Sequence, residues 1–215
     1  VKRDLQALRG GKGGHRKMRN YGAEAVSKIN AGVVEDIISL NAKMTDFWAS
    51  AHGWAPDDAA NLLSKSRLDR QVSLSRTLHL WIDRDPMTDG ELILAWANLG
   101  ALLEGTLKFF ISVYYLDFQK DIEALKKASA YDFKKMTHKE PDGLTLDVLR
   151  KFVVQKNLFE AAHPEMFQLV QSRRNALHAY KDRELGTVTE FRDSVHGYMK
   201  FLTEVNHRVP YPDWR

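Results

Sequence analysis

No cysteine occurs among the 215 residues. A disulfide framework, a thiolate nucleophile and a cysteine-held zinc site are therefore excluded, and a reducing compartment suits the chain. No two histidines stand at a metal-ligand spacing such as His-x-x-x-His. His15, His52, His79, His138, His163, His196 and His207 are scattered, so neither metal nor cofactor is expected. Residues 1 to 20 lack the apolar core of a secretion signal, which makes the cytoplasm the expected location. The one long apolar run, Leu92 to Leu116, carries Asn98, Glu104 and Lys108 near its middle. Each charge there costs roughly 2.5–3.5 kcal/mol on insertion scales, so the run reads as a buried core helix and no membrane partner is expected. No segment alternates apolar and polar residues long enough to make a strand, and no repeat, low-complexity tract or obvious linker is present.

Net charge is in short supply over most of the chain. The net charge is +4, yet Lys2, Arg3, Arg9, Lys12, Arg16, Lys17 and Arg19 face Asp4 alone within the first 20 residues. That segment holds +6 and the rest of the chain −2, so charge alone implies no broad nucleic-acid-binding face. Residues 1 to 20 read as a flexible basic arm, with Lys12, Arg16, Lys17 and Arg19 as its candidate RNA contacts. Arg9-Gly10-Gly11-Lys12-Gly13-Gly14 invites comparison with a phosphate-binding loop, but no Ser or Thr follows Lys12 and the match fails.

What is present is helical periodicity. With 44% hydrophobic and 28% charged residues, the chain can bury a real core. Val26, Ile29, Val33, Ile37, Leu40 and Met44 recur at helical spacing from Ala23 to about Ala51. Asp57 or Asp58 can cap a short helix to Ser64, and Leu68 to Trp81 makes a third helical stretch before Asp83-Arg84-Asp85-Pro86. Thr88 or Asp89 caps what reads as the longest helix, apolar nearly all round, in which Gly100 and Gly105 signal close approach of a neighbour. Beyond the turn at Glu140-Pro141-Asp142-Gly143 come an amphipathic stretch from Thr145 to Phe159 and a helix from His163 to about Asp182. A last helix is capped by Thr187 or Thr189. The expected fold is all-α: the arm at 1–20, an N-terminal helical extension at 21–87 and a helical bundle at 88–215.

The segment Gln171-Ser172-Arg173-Arg174-Asn175-Ala176-Leu177-His178-Ala179-Tyr180 carries the most chemistry. It resembles the motif of the HEPN superfamily (higher eukaryotes and prokaryotes nucleotide-binding), in which an Arg precedes a His by four to six residues near a helix end. Arg173 and His178 fit that spacing, while Arg174-Asn175, His178 and Tyr180 resemble a second common form. At ~100° per residue, Arg173 and His178 point ~140° apart and Arg174 and His178 only ~40° apart. Family spacing selects Arg173, helical geometry selects Arg174, and a distorted helix end would reconcile the former. Residues 99–108, with Glu104, are similar to the long glutamate-bearing helix of that superfamily.

The resemblance implies a HEPN-like bundle acting as a metal-independent endoribonuclease that leaves 2′,3′-cyclic phosphate ends. An imidazole suits proton transfer near neutral pH, and a guanidinium stays charged and can grip two phosphate oxygens. Arg173 and His178 are then the catalytic pair, with Arg174, Asn175, Tyr180 and Glu104 in support. The family also implies RNA as substrate, a homodimer with two motif copies in one cleft, and a toxin–antitoxin or antiviral defence setting with an antitoxin or regulatory protein. The alternatives are a non-catalytic RNA- or nucleotide-binding module and a helical protein-interaction scaffold. In the bland reading the arginines are solvated and His178 merely satisfies a backbone carbonyl.

Overall fold

The computed structural model describes residues 12–178 and 180–211, with side chains from 27 onward. Among these, nine α-helices carry the fold: α1 (Lys12–Trp48), α2 (Asp57–Lys65), α3 (Leu68–Arg76), α4 (Asp89–Val113), α5 (Tyr115–Lys120), α6 (Ile122–Lys127), α7 (Leu146–Gln155), α8 (His163–Arg174) and α9 (Val188–Arg208). Short 3-10 turns lie at Thr77–Leu80, Pro141–Gly143 and Asn175–Leu177. The only sheet among the described residues is a hairpin of β1 (Tyr131–Asp132) with β2 (Thr137–His138). The all-α expectation therefore holds.

Helix α4 is the hub. Its sequence is apolar on almost every face, and α2, α3, α7, α8 and α9 all pack on it. Thr88 starts it with a capping box, in which its hydroxyl accepts from Glu91 N–H and the Glu91 carboxylate accepts from Thr88 N–H. The helix is long and apolar enough to cross a membrane by length and composition, but 61% of its most apolar window is buried inside the fold. Trp96 is fully buried, packs edge-on against Phe191 of α9 and donates its indole N–H to the Leu185 carbonyl. Such a ring supplies a large apolar area while its one polar atom is satisfied.

Helix α1, and not α4, is the longest. It begins at Lys12 and includes Gly13 and Gly14, so residues 12–20 are helical rather than coil; residues 1–11 lie outside the described part. Its buried stripe is also shifted from the expected one. Ile29 is exposed, and the seam is Asn30, Val34, Ile37, Asn41, Met44 and Trp48. Two asparagines sit there because they have partners: Asn41 donates to Ser75 at 2.8 Å, and Asn30 bonds Asp83 and His196. Buried amides are tolerated on that condition. Through this seam α1 packs on α3 and α9, and one apolar cluster runs from Val34 to Val209. The boundary expected at 87–88 does not divide the core.

Gly100 and Gly105 of α4 lie where a neighbour presses in. A Cβ on Gly105 would stand 2.4 Å from Gln71 Oε1, and one on Gly100 would stand 2.4 Å from Arg174 Cδ. The first contact lets Gln71 reach the Leu102 carbonyl at 2.7 Å; the second seats the motif helix.

Candidate active site cleft

Helix α8 opens with Pro164 in its first turn and stops at Arg174, eight residues earlier than the periodicity suggested. Its end tightens into the 3-10 turn at 175–177, and the backbone is extended at His178. Asn175 begins this turn and accepts the His178 N–H on its carbonyl. The distorted helix end anticipated near the motif is thus present, yet it does not bring Arg173 to His178.

Arg173 turns inward, toward α9. Its guanidinium donates to the Glu184 carbonyl at 3.0 Å and to Glu190 at 3.0 Å, and lies 2.9 Å from the Glu184 carboxylate. The bond to Glu184 raises the Arg173 pKa further above its ordinary value, against the effect of burial, and Glu190 adds to the rise. The bond from Arg173 holds the Glu190 carboxyl below its usual range. Glu190 also closes the capping box with Thr187 that starts α9. Gly186, at a φ of +74°, makes room, since a Cβ there would lie 2.7 Å from Arg173 Nε. Arg173 is a buried clasp between α8 and α9, and it does not line the cleft that His178 lines.

Arg174 takes the opposite direction. Its methylenes lie over Gly100, and its Nη1 donates to Glu104 at 2.5 Å. Glu104 also pairs with Lys108 at 3.0 Å, and Lys108 donates to the Asp142 carbonyl at 2.9 Å. Burial pushes the Glu104 carboxyl up, but the bonds from Arg174 and Lys108 outweigh it, and the net shift is downward.

These groups border an open cleft of about 540 Å³ between α4, α8 and the segment leading into α7. Arg174, Asn175, Leu177 and His178 form one side, Glu104 and Lys108 the floor, and Asp142 to Asp147 the other side. Asp147 is tied to Lys151 at 2.6 Å and to Gln171 at 3.0 Å, so that wall is braced. The His178 ring is exposed and has no hydrogen-bond partner among the described residues. Arg174 spends only Nη1, and Nη2 and Nε have no acceptor there either. The formal charges are mixed: Arg174 and Lys108 against Glu104, Asp142 and Asp147.

Of the expected site residues, the structure therefore gathers Arg174, Asn175, His178 and Glu104, and sends Arg173 elsewhere. Tyr180 is fully exposed at a φ of +70° and lies outside the cleft lining. Ala179 lies outside the described residues. Lys12, Arg16, Lys17 and Arg19 fall on the first turns of α1, where side chains are not described. Residue spacing also missed one cluster. Glu160, His163 and Glu204 bring their ligand-type atoms within 4.8 Å of one another, although His163 and Glu204 are on different helices. Glu204 already bonds His163, Arg208 and the Glu160 N–H, so this cluster is accounted for as a latch between α8 and α9.

No family model, curated protein or solved structure matches the chain.

Proposed function

We propose that the chain is a metal-independent endoribonuclease of HEPN type, with His178 and Arg174 as its catalytic pair. One observation carries this reading: an unpartnered imidazole and a guanidinium with spare donors open on the same cleft, four residues apart at a distorted helix end. His178 takes the proton of a ribose 2′-hydroxyl, the 2′-oxygen attacks phosphorus, and the bond to the 5′-oxygen breaks. The products are a 2′,3′-cyclic phosphate and a 5′-hydroxyl, the leaving oxygen taking its proton from solvent or from a second copy of the motif. Arg174 neutralises the charge that grows on the non-bridging oxygens. Asn175 donates to the phosphate, and Glu104 holds Arg174 in place.

The family likeness adds a homodimer around a shared cleft, a cytoplasmic defence or toxin–antitoxin setting and a regulatory protein partner as parts of the same proposal. The test is cleavage of a fluorescent RNA by wild type and His178→Ala, in EDTA, with folding measured alongside. A general acid–base group is worth about 10²–10⁴-fold. A folded His178→Ala protein that cuts at the wild-type rate ends this assignment. The three carboxylates around the cleft favour a second reading, a non-catalytic nucleotide- or RNA-binding module, which predicts binding without cleavage by wild type.

A further inference from the structure

The hairpin of β1 and β2 exposes two large apolar side chains that no part of the fold covers. Phe133 is 64% exposed and Met136 72% exposed. Lys134 and Lys135 lie between them, both exposed and without an ion-pair partner among the described residues. The tip is nevertheless built rigidly. The Asp132 carboxylate accepts from the backbone N–H groups of Lys134 and Lys135, and the Phe133 ring stands edge-on against Tyr131 at 5.2 Å. At the hairpin base, Tyr115 bonds both His138 and Glu140. Four residues after His138 comes Asp142, in the wall of the cleft that His178 borders. An extended chain of that length spans at most roughly 14 Å, so the hairpin base lies within that distance of the cleft wall.

We propose that this hairpin is a grip for single-stranded RNA, with the Phe133 ring stacking a base, Lys134 and Lys135 holding adjacent phosphates, and the strand running on into the cleft. This rests on the ribonuclease reading for what happens to the strand there. A rigid aromatic ring with a free face beside unpaired cations is the arrangement that binds single strands without reading sequence. An anionic bilayer also attracts apolar tips flanked by lysine. Here, however, the hairpin base lies four residues from Asp142 in the cleft wall, which gives a strand held at the tip a route to Arg174 and His178 and gives a bilayer nothing. That favours RNA.

The experiment uses the full chain carrying His178→Ala, so that RNA survives, and a short fluorescein-labelled polyuridine as probe. Phe133→Ala should weaken binding by about five- to a hundredfold, the range for one lost stacked base. Phe133→Trp should keep it, and Phe133→Leu, apolar but without a π face, should lose it as alanine does. Lys134→Glu with Lys135→Glu should weaken binding and flatten its salt dependence. Phe133→Leu binding RNA like wild type overturns the proposal. So does loss of phosphatidylserine-vesicle binding in the alanine variant with RNA binding unchanged. Helical circular dichroism checks that each variant is folded. If the hairpin variants bind normally while His178 is needed for cutting, only the grip fails. If they lose RNA while His178→Ala cuts normally, only the cleft assignment fails.

Discussion

Replacing Arg173 by alanine should loosen α8 from α9 and leave the cleft chemistry standing. The guanidinium makes three contacts, but they are not equal. The Glu184 carboxylate is 80% exposed, so solvent screens that pair to almost nothing. The bond to the Glu184 carbonyl and the half-screened pair with Glu190 contribute about 1 kcal/mol each, and the buried stem adds a further ~1 kcal/mol of packing. Glu190 keeps its capping bonds to Thr187 when Arg173 is gone, so no carboxylate is orphaned. The expected cost is thus about 2–3 kcal/mol, or roughly 4–12 °C in Tm for a domain of this size. Urea unfolding followed by circular dichroism measures the first figure, and single-turnover RNA cleavage below the melting range measures what remains of activity. Arg174→Ala should show the reverse: a smaller stability change and a cleavage loss of about 10²-fold or more. An Arg173→Ala protein as stable as wild type but a hundredfold slower would return the phosphate role to Arg173 and refute the assignment made from its burial.

Gly100→Ala should gain helix propensity yet push Arg174 from its seat, lowering cleavage by about 10²-fold while the fold survives; unchanged activity would mean Arg174 is not held there for catalysis. Glu104→Gln removes one negative charge beside Arg174 and should tighten RNA binding, on the order of fivefold, by anisotropy; equal or weaker binding would place the phosphate elsewhere. The folded pKa values of Glu104 and Glu190 lie below the ordinary 4.5, so the stability their pairs contribute is full above 4.5 and disappears as pH falls through the depressed values. The stability gap between wild type and Arg173→Ala should therefore narrow on acidification by the Glu190 share, about 1 kcal/mol, and a gap that stays the same or widens would contradict the pairing. Deleting residues 1 to 20 should weaken RNA binding most at low salt and leave the rate on saturating RNA unchanged; loss of turnover at saturation would put that segment in the active site.

Much of the fold was legible because the relevant signals are local. The Thr88 and Thr187 boxes announce α4 and α9 in four residues each, and Gly100 and Gly105 announce close approach even though the approaching groups come from elsewhere in the chain. The register of α1 was not legible. Counting apolar residues selects Ile29, whereas the helix buries Asn30 and Asn41 against partners 53 and 34 positions away. A pattern of side-chain hydrophobicity has no term for a polar group whose partner is supplied by another helix. The start of α1 failed for a related reason: Gly13 and Gly14 lower helix propensity, but propensity is a weak prior beside the continuity of a long helix.

The motif shows how far spacing alone can go. Family-like spacing pointed to Arg173 and His178, whereas of the two adjacent arginines it is Arg174 that lines the cleft with His178. Adjacent residues on a helix point ~100° apart, so Arg173 and Arg174 necessarily serve different surroundings. Which one faces α9 depends on Glu190, which the α9 capping box already requires, and on Gly186, which clears space at Arg173. Which one faces α4 depends on Gly100 and Glu104. The two arginines are thus sorted by residues more than ten positions distant on either side. Helical angle anticipated the outcome because it is a property of α8 itself up to Arg174. Past Arg174 the 3-10 turn carries the chain to His178, and its imidazole still opens on the side that Arg174 occupies.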